Sequence, residues 1–534
     1  MLLDAVLLLY MGRGLGFTSD DWAFVTHDYG GGIHSLLTPH AGNLVLFPVG
    51  IYKVLFHLVG LNHYAVFRCV VIVLDLICGG LVFVLASRRI PRVPALLAAA
   101  LILFLGAAWE DLLWAFQVTY MLSVAGGLGA WVLLERRDRA GDLAAMTCLI
   151  VAVGSSSLGI PLIIGVAVEL AWNQHWRRGW IVVIPTLLYL IWYLHYGESQ
   201  VTAESLMHAP GFAADLAAAA FGGLVGRGLE WGRPLAVLGL LVLLGRLARP
   251  LPVSARLAGL IATGVSLWIV TAAARSTTSA PETSRYIYLG AVTIVLVGVE
   301  LLRGVAITPR VSALAAVVVA GCAVTGLTAL HDGAMGLRAT SKIVTAELGA
   351  LELAAAHAPA GFQPDPLRAP QIVAGPYLHT VRAIGSSPAD SAADIAAAGA
   401  PARAAADSVL LSLLTPSLKP FTSVPSSLAP APAVSALLSG KQEQRRGCIE
   451  LTPLPGTTMT AALTLPDGGV SIRDRGYAPA SLSLKRFGDA FQAIADTVAP
   501  GSWLVLAIPQ DTAALAWQLQ VVSSAHLSVC GLEP

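Results

Sequence analysis

Charge is what this chain has least of. Only 12% of its 534 residues are Asp, Glu, Lys or Arg, about half the ~25% of an average soluble domain. The net charge of +1 leaves no basic surplus, so a nucleic-acid partner is not expected. Lysine is scarcer still, with five against 28 arginines; that bias, with abundant Ala, points to a GC-rich bacterial genome. No cleavable leader is visible, because the first apolar stretch, Leu2 to Phe17, lacks a basic flank and a small-residue cleavage site. Cysteine is sparse as well. Four of the six (Cys69, Cys78, Cys148, Cys322) lie in apolar runs, where a thiol acts as a small hydrophobe. Cys448 and Cys530 are the two in the C-terminal region, and they pair as a disulfide if that region faces an oxidising compartment; otherwise they are unrelated buried thiols.

What the chain has instead is apolar surface: 56% of residues are hydrophobic and the mean hydropathy is +0.72. A transmembrane helix needs about 20 mostly apolar residues. Candidate spans run near 2–17, 64–86, 93–108, 117–134, 143–157, 159–173, 180–194, 234–248, 257–273, 286–302 and 311–330, about eleven in all. Arginines mark every second connection: Arg88, Arg89 and Arg92; Arg136, Arg137 and Arg139; Arg177 and Arg178; Arg246, Arg249 and Arg256; Arg303 and Arg310. By the positive-inside rule these connections are cytoplasmic. The N-terminus then starts inside and the chain beyond residue 331 lies outside, in a bacterial plasma (inner) membrane. The stretch Leu44 to Leu61, broken by Pro48, Lys53 and His57, reads as an interfacial helix, since a span there would reverse every later loop.

The fold expected is therefore a polytopic α-helical membrane domain over 1–331 followed by an extracytoplasmic α+β or β-sandwich domain over 332–534. In the latter, 339–357 reads as a helix, and short strands are expected at Met459 to Leu465, Leu482 to Leu484, Ser502 to Ile508 and His526 to Cys530. Trp503, Trp517 or Tyr477 could grip a glycan, or belong to an ordinary core.

Charges that orientation does not explain gather on the outward side. Asp20 and Asp21, in Thr-Ser-Asp-Asp-Trp, follow the first apolar run. Adjacent carboxylates there could act as general base and charge partner, hold a divalent ion such as Mg2+ or Mn2+, or cap a helix. Five histidines (His27, His34, His40, His57, His63) share the same loop without zinc-helix spacing. They suit hydrogen bonding to a polar substrate better than a metal centre, and no metal site is assigned. Glu110 and Asp111 form a second acidic pair, flanked by Trp109 and Trp114, which read as interfacial aromatics. Arg13, Arg68, Arg275 and Arg285 break the positive-inside pattern; a guanidinium there could bind a lipid phosphate, pair with the acids, or snorkel. Asp4 and Asp75 lie within spans and receive no role.

The runs around Asp20-Asp21-Trp22, Trp109-Glu110-Asp111 and Ser284-Arg285-Tyr286 resemble the GT-C superfamily of membrane glycosyltransferases, and within it actinobacterial arabinosyl- and mannosyltransferase-like proteins. The resemblance covers about the first 330 residues. It implies an inverting hexosyl- or pentosyltransferase that uses a polyprenyl-phosphate sugar donor and a glycan, lipid or protein acceptor. It implies that Asp20 is the catalytic base and that Asp21 positions the acceptor or an ion. Glu110, Asp111 and His40 would help position the acceptor or an ion, and Arg285, Arg275 and Arg68 would hold the donor phosphate. The first span departs from the pattern in being short and containing Asp4. Two other readings remain: a flippase for a lipid-linked glycan, disfavoured by the absence of paired broken helices, and a non-catalytic envelope scaffold.

Overall fold

The computed structural model describes residues 1–28, 31–249, 252–421, 430–445 and 447–532. The chain divides into two compact units, Met1–Arg338 and Ala339–Pro534. The first holds helices α1 (Leu2–Met11), α2 (Asp21–Ala23), α3 (Leu46–Val59), α4 (Tyr64–Ser87), α5 (Arg92–Leu103), α6 (Trp109–Leu113), α7 (Val118–Leu134), α8 (Arg139–Val153), α9 (Gly159–Trp172), α10 (Trp180–Tyr196), α11 (Ala203–Leu224), α12 (Leu229–Leu247), α13 (Ala255–Arg275), α14 (Ile287–Leu301) and most of α15 (Pro309–Leu353).

Among the described residues, seven helices are long and apolar enough to cross a membrane, or eight if the bent pair α11–α12 counts as one span. This is fewer than the eleven expected, for reasons of length. The apolar run 2–17 yields a helix of 10 residues, about 15 Å at 1.5 Å per residue, because the chain turns at Gly12 and reaches a left-handed Gly14 (φ 69°). The runs at 143–157 and 159–173 become α8 and α9, of 15 and 14 residues. The segment 195–233, expected to be a connection, instead contains α11, of 22 residues. Both ends of α11 sit at one end of the bundle. Ser205 donates to Ala273 O at the end of α13, and a side chain at Gly223 would strike Ile287 at the start of α14. The helix therefore lies across the bundle end, and α12 leaves it at an angle of 100°.

Large apolar side chains stay exposed on α10 (Leu187, Leu194), α12 (Val237, Leu241) and α15 (Leu314, Val317), the surface a bilayer covers. Inside, small residues allow close packing, as between membrane helices generally. A Cβ at Gly165 of α9 would stand 2.8 Å from the carbonyl oxygen of Gly259 on α13.

The second unit contains the end of α15, then α16 (Ala374–Ile384), α17 (Ala392–Ala397) and α18 (Ala400–Leu414), followed by eleven strands. These are β1 (Ser417–Pro420), β2 (Ala433–Leu438), β3 (Gly440–Arg445), β4 (Cys448–Pro453), β5 (Met459–Thr464), β6 (Val470–Asp474), β7 (Ala480–Lys485), β8 (Gln492–Val498), β9 (Trp503–Ala507), β10 (Gln518–Ser523) and β11 (Leu527–Gly531). They form two antiparallel sheets in the orders β1-β9-β6-β11-β4-β3 and β2-β5-β10-β7-β8. Asp407 of α18 ties helix to strands by accepting the backbone N–H groups of Arg486, Phe487 and Gly488. Trp517, one of the candidate glycan grips, is a core residue with Arg486 over its ring at 4.4 Å; Tyr477 is fully exposed.

Cys448 and Cys530 face each other across β4 and β11 and form a disulfide. It closes a loop with a sequence separation of 82, and cross-links of that span stabilise small domains by about 2–5 kcal/mol. Cys448→Ser or Cys530→Ser is therefore expected to lower the unfolding free energy of the second unit by about 2–4 kcal/mol. Denaturant unfolding with and without reductant measures this, and reductant should have no further effect on the variants.

Candidate active site

The two adjacent aspartates part company at once. Asp21 is wholly buried. Its Oδ1 accepts the Tyr52 hydroxyl at 2.6 Å, and its Oδ2 accepts Trp114 Nε1–H at 2.8 Å, the Tyr64 hydroxyl at 3.2 Å and the Thr18 amide at 3.1 Å. Burial pushes its pKa up to about 7, against the four donors, which favour the charged form. Tyr52 comes from α3, whose buried face repeats helically as Pro48, Val49, Tyr52 and Phe56. Trp114 is 4% exposed, so it belongs to this network and not to an interfacial belt as the sequence suggested.

Asp20 points elsewhere. Ser19, at φ 45°, turns the chain just before it, and the Asp20 side chain makes no capping hydrogen bond to α2. Its Oδ1 lies 3.6 Å from His40 Nε2. His40 sits on a tight turn in which its backbone pairs with Asn43 in both directions, with Ala41 (φ 46°) and Gly42 (φ 79°) both left-handed at the centre. Asn43 Oδ1 anchors the turn by accepting the Ser157 amide at 3.2 Å, and the rings of Phe24 and Phe116 flank His40 at 5.7 and 5.1 Å.

The far chain supplies the cations. Arg275, the last residue of α13, donates to Ala41 O at 2.9 Å. Arg285 is held by Glu110, whose Oε2 accepts the Arg285 amide at 2.9 Å while Oε1 lies 3.5 Å from Nη1. Ser284 completes the tie, donating to Ala107 O and accepting the Glu110 amide.

These groups line one cavity of about 90 Å3, built from Asp20, His40, Phe116, Gln117, Thr119, Tyr120, Ser155, Ser156, Arg275, Arg285 and Tyr286 among others. A neighbouring cavity of about 150 Å3 shares Ala41, Asn43, Tyr120, Arg275 and Tyr286 with it and adds Tyr189 and Tyr193. Gln117 and Thr119 were not singled out from sequence. Both are buried, and among the described residues neither the Gln117 amide nor the Thr119 hydroxyl has a hydrogen-bond partner. Buried polar groups are nearly always paired, so orphans lining a cavity mark where a polar ligand would bond. Polar residues at the head of an apolar helix look like ordinary helix-end residues, which is why sequence missed them.

Other expected site residues lie elsewhere. Arg68 is 2% exposed and spends its guanidinium on three backbone carbonyls, those of Leu113, Gly12 and Leu8, at 2.8, 2.9 and 2.8 Å; it does not line the cavity. Asp111 is buried, neither of its oxygens has a partner among the described residues, and it also lies off the cavity. Glu110 stands behind Arg285. Arg13 folds over the Tyr10 ring. Asp75 accepts the Tyr288 hydroxyl at 2.6 Å, deep among the helices. The side chain of His27 lies outside the described residues.

Asp20 is the one carboxylate among the residues lining the cavity; Glu110 is engaged by Arg285 and Asp21 by four donors. Among the described residues, no three His, Cys, Asp or Glu side chains cluster as metal ligands.

No protein-family model matches the chain, and neither does any curated protein sequence. Among solved structures it is similar to a crystal structure of ArnT from Cupriavidus metallidurans bound to undecaprenyl phosphate, at 13% identity and TM-score 0.45, over 71% of this chain and 83% of that one. It is also similar to the apo state of the same protein, at 12% identity and TM-score 0.44, over 68% and 80%.

Proposed function

We propose that this chain is a GT-C-type membrane glycosyltransferase, transferring a sugar from a polyprenyl-phosphate donor to a hydroxyl of a cell-envelope glycan, lipid or protein. The observation that carries the reading is the cavity that gathers Asp20, His40, Arg275 and Arg285 from four separate segments of chain. In this reading Asp20 takes the proton of the acceptor hydroxyl as its oxygen attacks the sugar C1. The bond from C1 to the phosphate oxygen breaks, and Arg275 and Arg285 receive the departing charge. His40 steers Asp20. Gln117 and Thr119 hydrogen-bond the sugar, so that an analogue lacking a hydroxyl would leave them unpaired. Asp21 and Arg68 belong to the scaffold, and Glu110 acts through Arg285.

The cavity lies at the end of the helices opposite the arginine-rich connections, and the positive-inside rule supports reading that end as extracytoplasmic. The disulfide of the second unit agrees with an oxidising compartment there, and that unit would serve as an accessory, glycan-facing domain. The flippase reading is weaker: α11–α12 is a single bent pair, whereas alternating access uses matched broken helices in two halves.

Arg285→Ala is expected to raise the KM for a polyprenyl-phosphate sugar by about 10–100-fold, the worth of a charge-assisted hydrogen bond at ~1.5–3 kcal/mol. Transfer in proteoliposomes measures it. If no polyprenyl-phosphate sugar is turned over and donor binding is indifferent to Arg285, the transferase reading fails.

A further inference from the structure

At the other end of the same helices lies a larger cavity, of about 380 Å3, within the ~300–1,000 Å3 range of small-ligand sites. Five arginines line it: Arg89, Arg137, Arg178, Arg256 and Arg303. The start of α13 and the chain just past the end of α14 contribute to it, whereas the opposite ends of those helices hold the Asp20 cavity. A helix of about 20 residues separates the two by roughly 30 Å.

Three of the arginines are held in place by carboxylates, two of which, Glu135 and Glu169, line the cavity beside them. Arg89 donates to Glu300 and Glu135, at 2.7 and 2.8 Å. Arg256 forks onto Glu169 at 2.7 and 3.1 Å, and Arg178 onto Asp142. In each of the three, Nε and Nη2 are used while Nη1 bonds nothing among the described residues. Arg137 and Arg303 are exposed and have no carboxylate partner among the described residues. With Arg88, which shares Glu135, six guanidinium groups stand against four carboxylates, leaving two positive charges in excess. Arg137 also sits at φ 56°, the left-handed region where glycine is the comfortable residue. A long cation is kept there against backbone preference, as happens where a site needs the side chain.

We propose that this second cavity is a phosphate-binding site, taking an anionic phospholipid headgroup or free inorganic phosphate, independently of whether the chain transfers sugar. Fixed guanidinium groups with unused N–H donors are the chemistry that recognises a phosphate. A positive-inside anchor would splay such side chains towards the membrane surface, not converge them on a hollow.

The test uses the full chain in detergent, with native mass spectrometry against phosphatidylglycerol and phosphatidylcholine, and equilibrium dialysis with inorganic phosphate. The wild type should retain phosphatidylglycerol and not phosphatidylcholine. An Arg137→Gly/Arg303→Ala double variant should lose at least about tenfold in retention, as removal of two charge-assisted donors requires. Its thermal unfolding should be unchanged, because glycine suits position 137. If inorganic phosphate alone binds the wild type and not the variant, the ligand is a soluble anion; if only the lipid does, it is a headgroup. Equal retention of the two lipids, or equal binding by wild type and variant, overturns the proposal.

Discussion

Asp20→Asn is expected to slow sugar transfer by about 10²–10⁴-fold, the usual worth of a positioned general base, with donor affinity unchanged. The amide keeps the shape of the side chain and the neighbourhood of His40, 3.6 Å away, but cannot accept the acceptor proton. Binding rests on other groups, so the loss should fall on kcat and leave the KM for donor where it was. The protein should fold as before, because Asp20 makes no capping bond to the helix that follows and its side chain is 31% exposed. A variant with wild-type turnover would remove Asp20 from the chemistry.

The same substitution one residue later should give the opposite result. Asp21→Asn places an NH2 where Oδ1 or Oδ2 now accepts. Tyrosine hydroxyls can turn to receive it, but on Oδ2 the Trp114 Nε1–H and the Thr18 amide can only donate. With the amide nitrogen on the other side, Tyr52 must turn and give up the bond it now donates. Each buried group left unpaired costs about 1–3 kcal/mol, so the change should destabilise the first unit by roughly 2–4 kcal/mol. Thermal unfolding in detergent and the yield of monodisperse protein read this directly. Any activity loss should follow the folded fraction and keep the KM of the molecules that do fold. A fully folded Asp21→Asn protein with collapsed kcat would instead place Asp21 in the reaction.

Which residues sequence could and could not place follows from what decides their environment. The gathering of Asp20, His40, Arg275 and Arg285 at one end of the helices was legible because arginine counting needs only the order of the helices, and the residues left over then fall on one side. The disulfide was legible because a pair of cysteines in one small domain has few alternatives. The split between Asp20 and Asp21 was not. Adjacent residues share every property a sequence displays, and the difference comes from Tyr52, Tyr64 and Trp114, 31, 43 and 93 positions away. Arg68 misled for the same reason, since its acceptors are backbone carbonyls that no side-chain pattern announces. Fewer helices pass as spans by length than the sequence suggested because α8 and α9 have only 15 and 14 residues. Helix α11 was read as a loop because its small residues, Pro210 and Asp215 dilute the hydropathy. Seven of the eleven strands found among the described residues were not expected; β3, Gly-Lys-Gln-Glu-Gln-Arg, for one, has no apolar alternation to signal it.

The Arg68 clamp bears on how the protein is made. Its three acceptors belong to α1, to Gly12 just after it, and to α6, and a side chain at Gly12 would stand 1.8 Å from the guanidinium carbon. When α4 leaves the ribosome, that cation has α1 behind it but α6 still unsynthesised. A charged arginine within a membrane helix is costly until it is paired, and Arg68 has its full set of acceptors only once roughly the first 113 residues have been made. Asp20 lies within that stretch, so the loop that carries it is fixed when the assembly first locks.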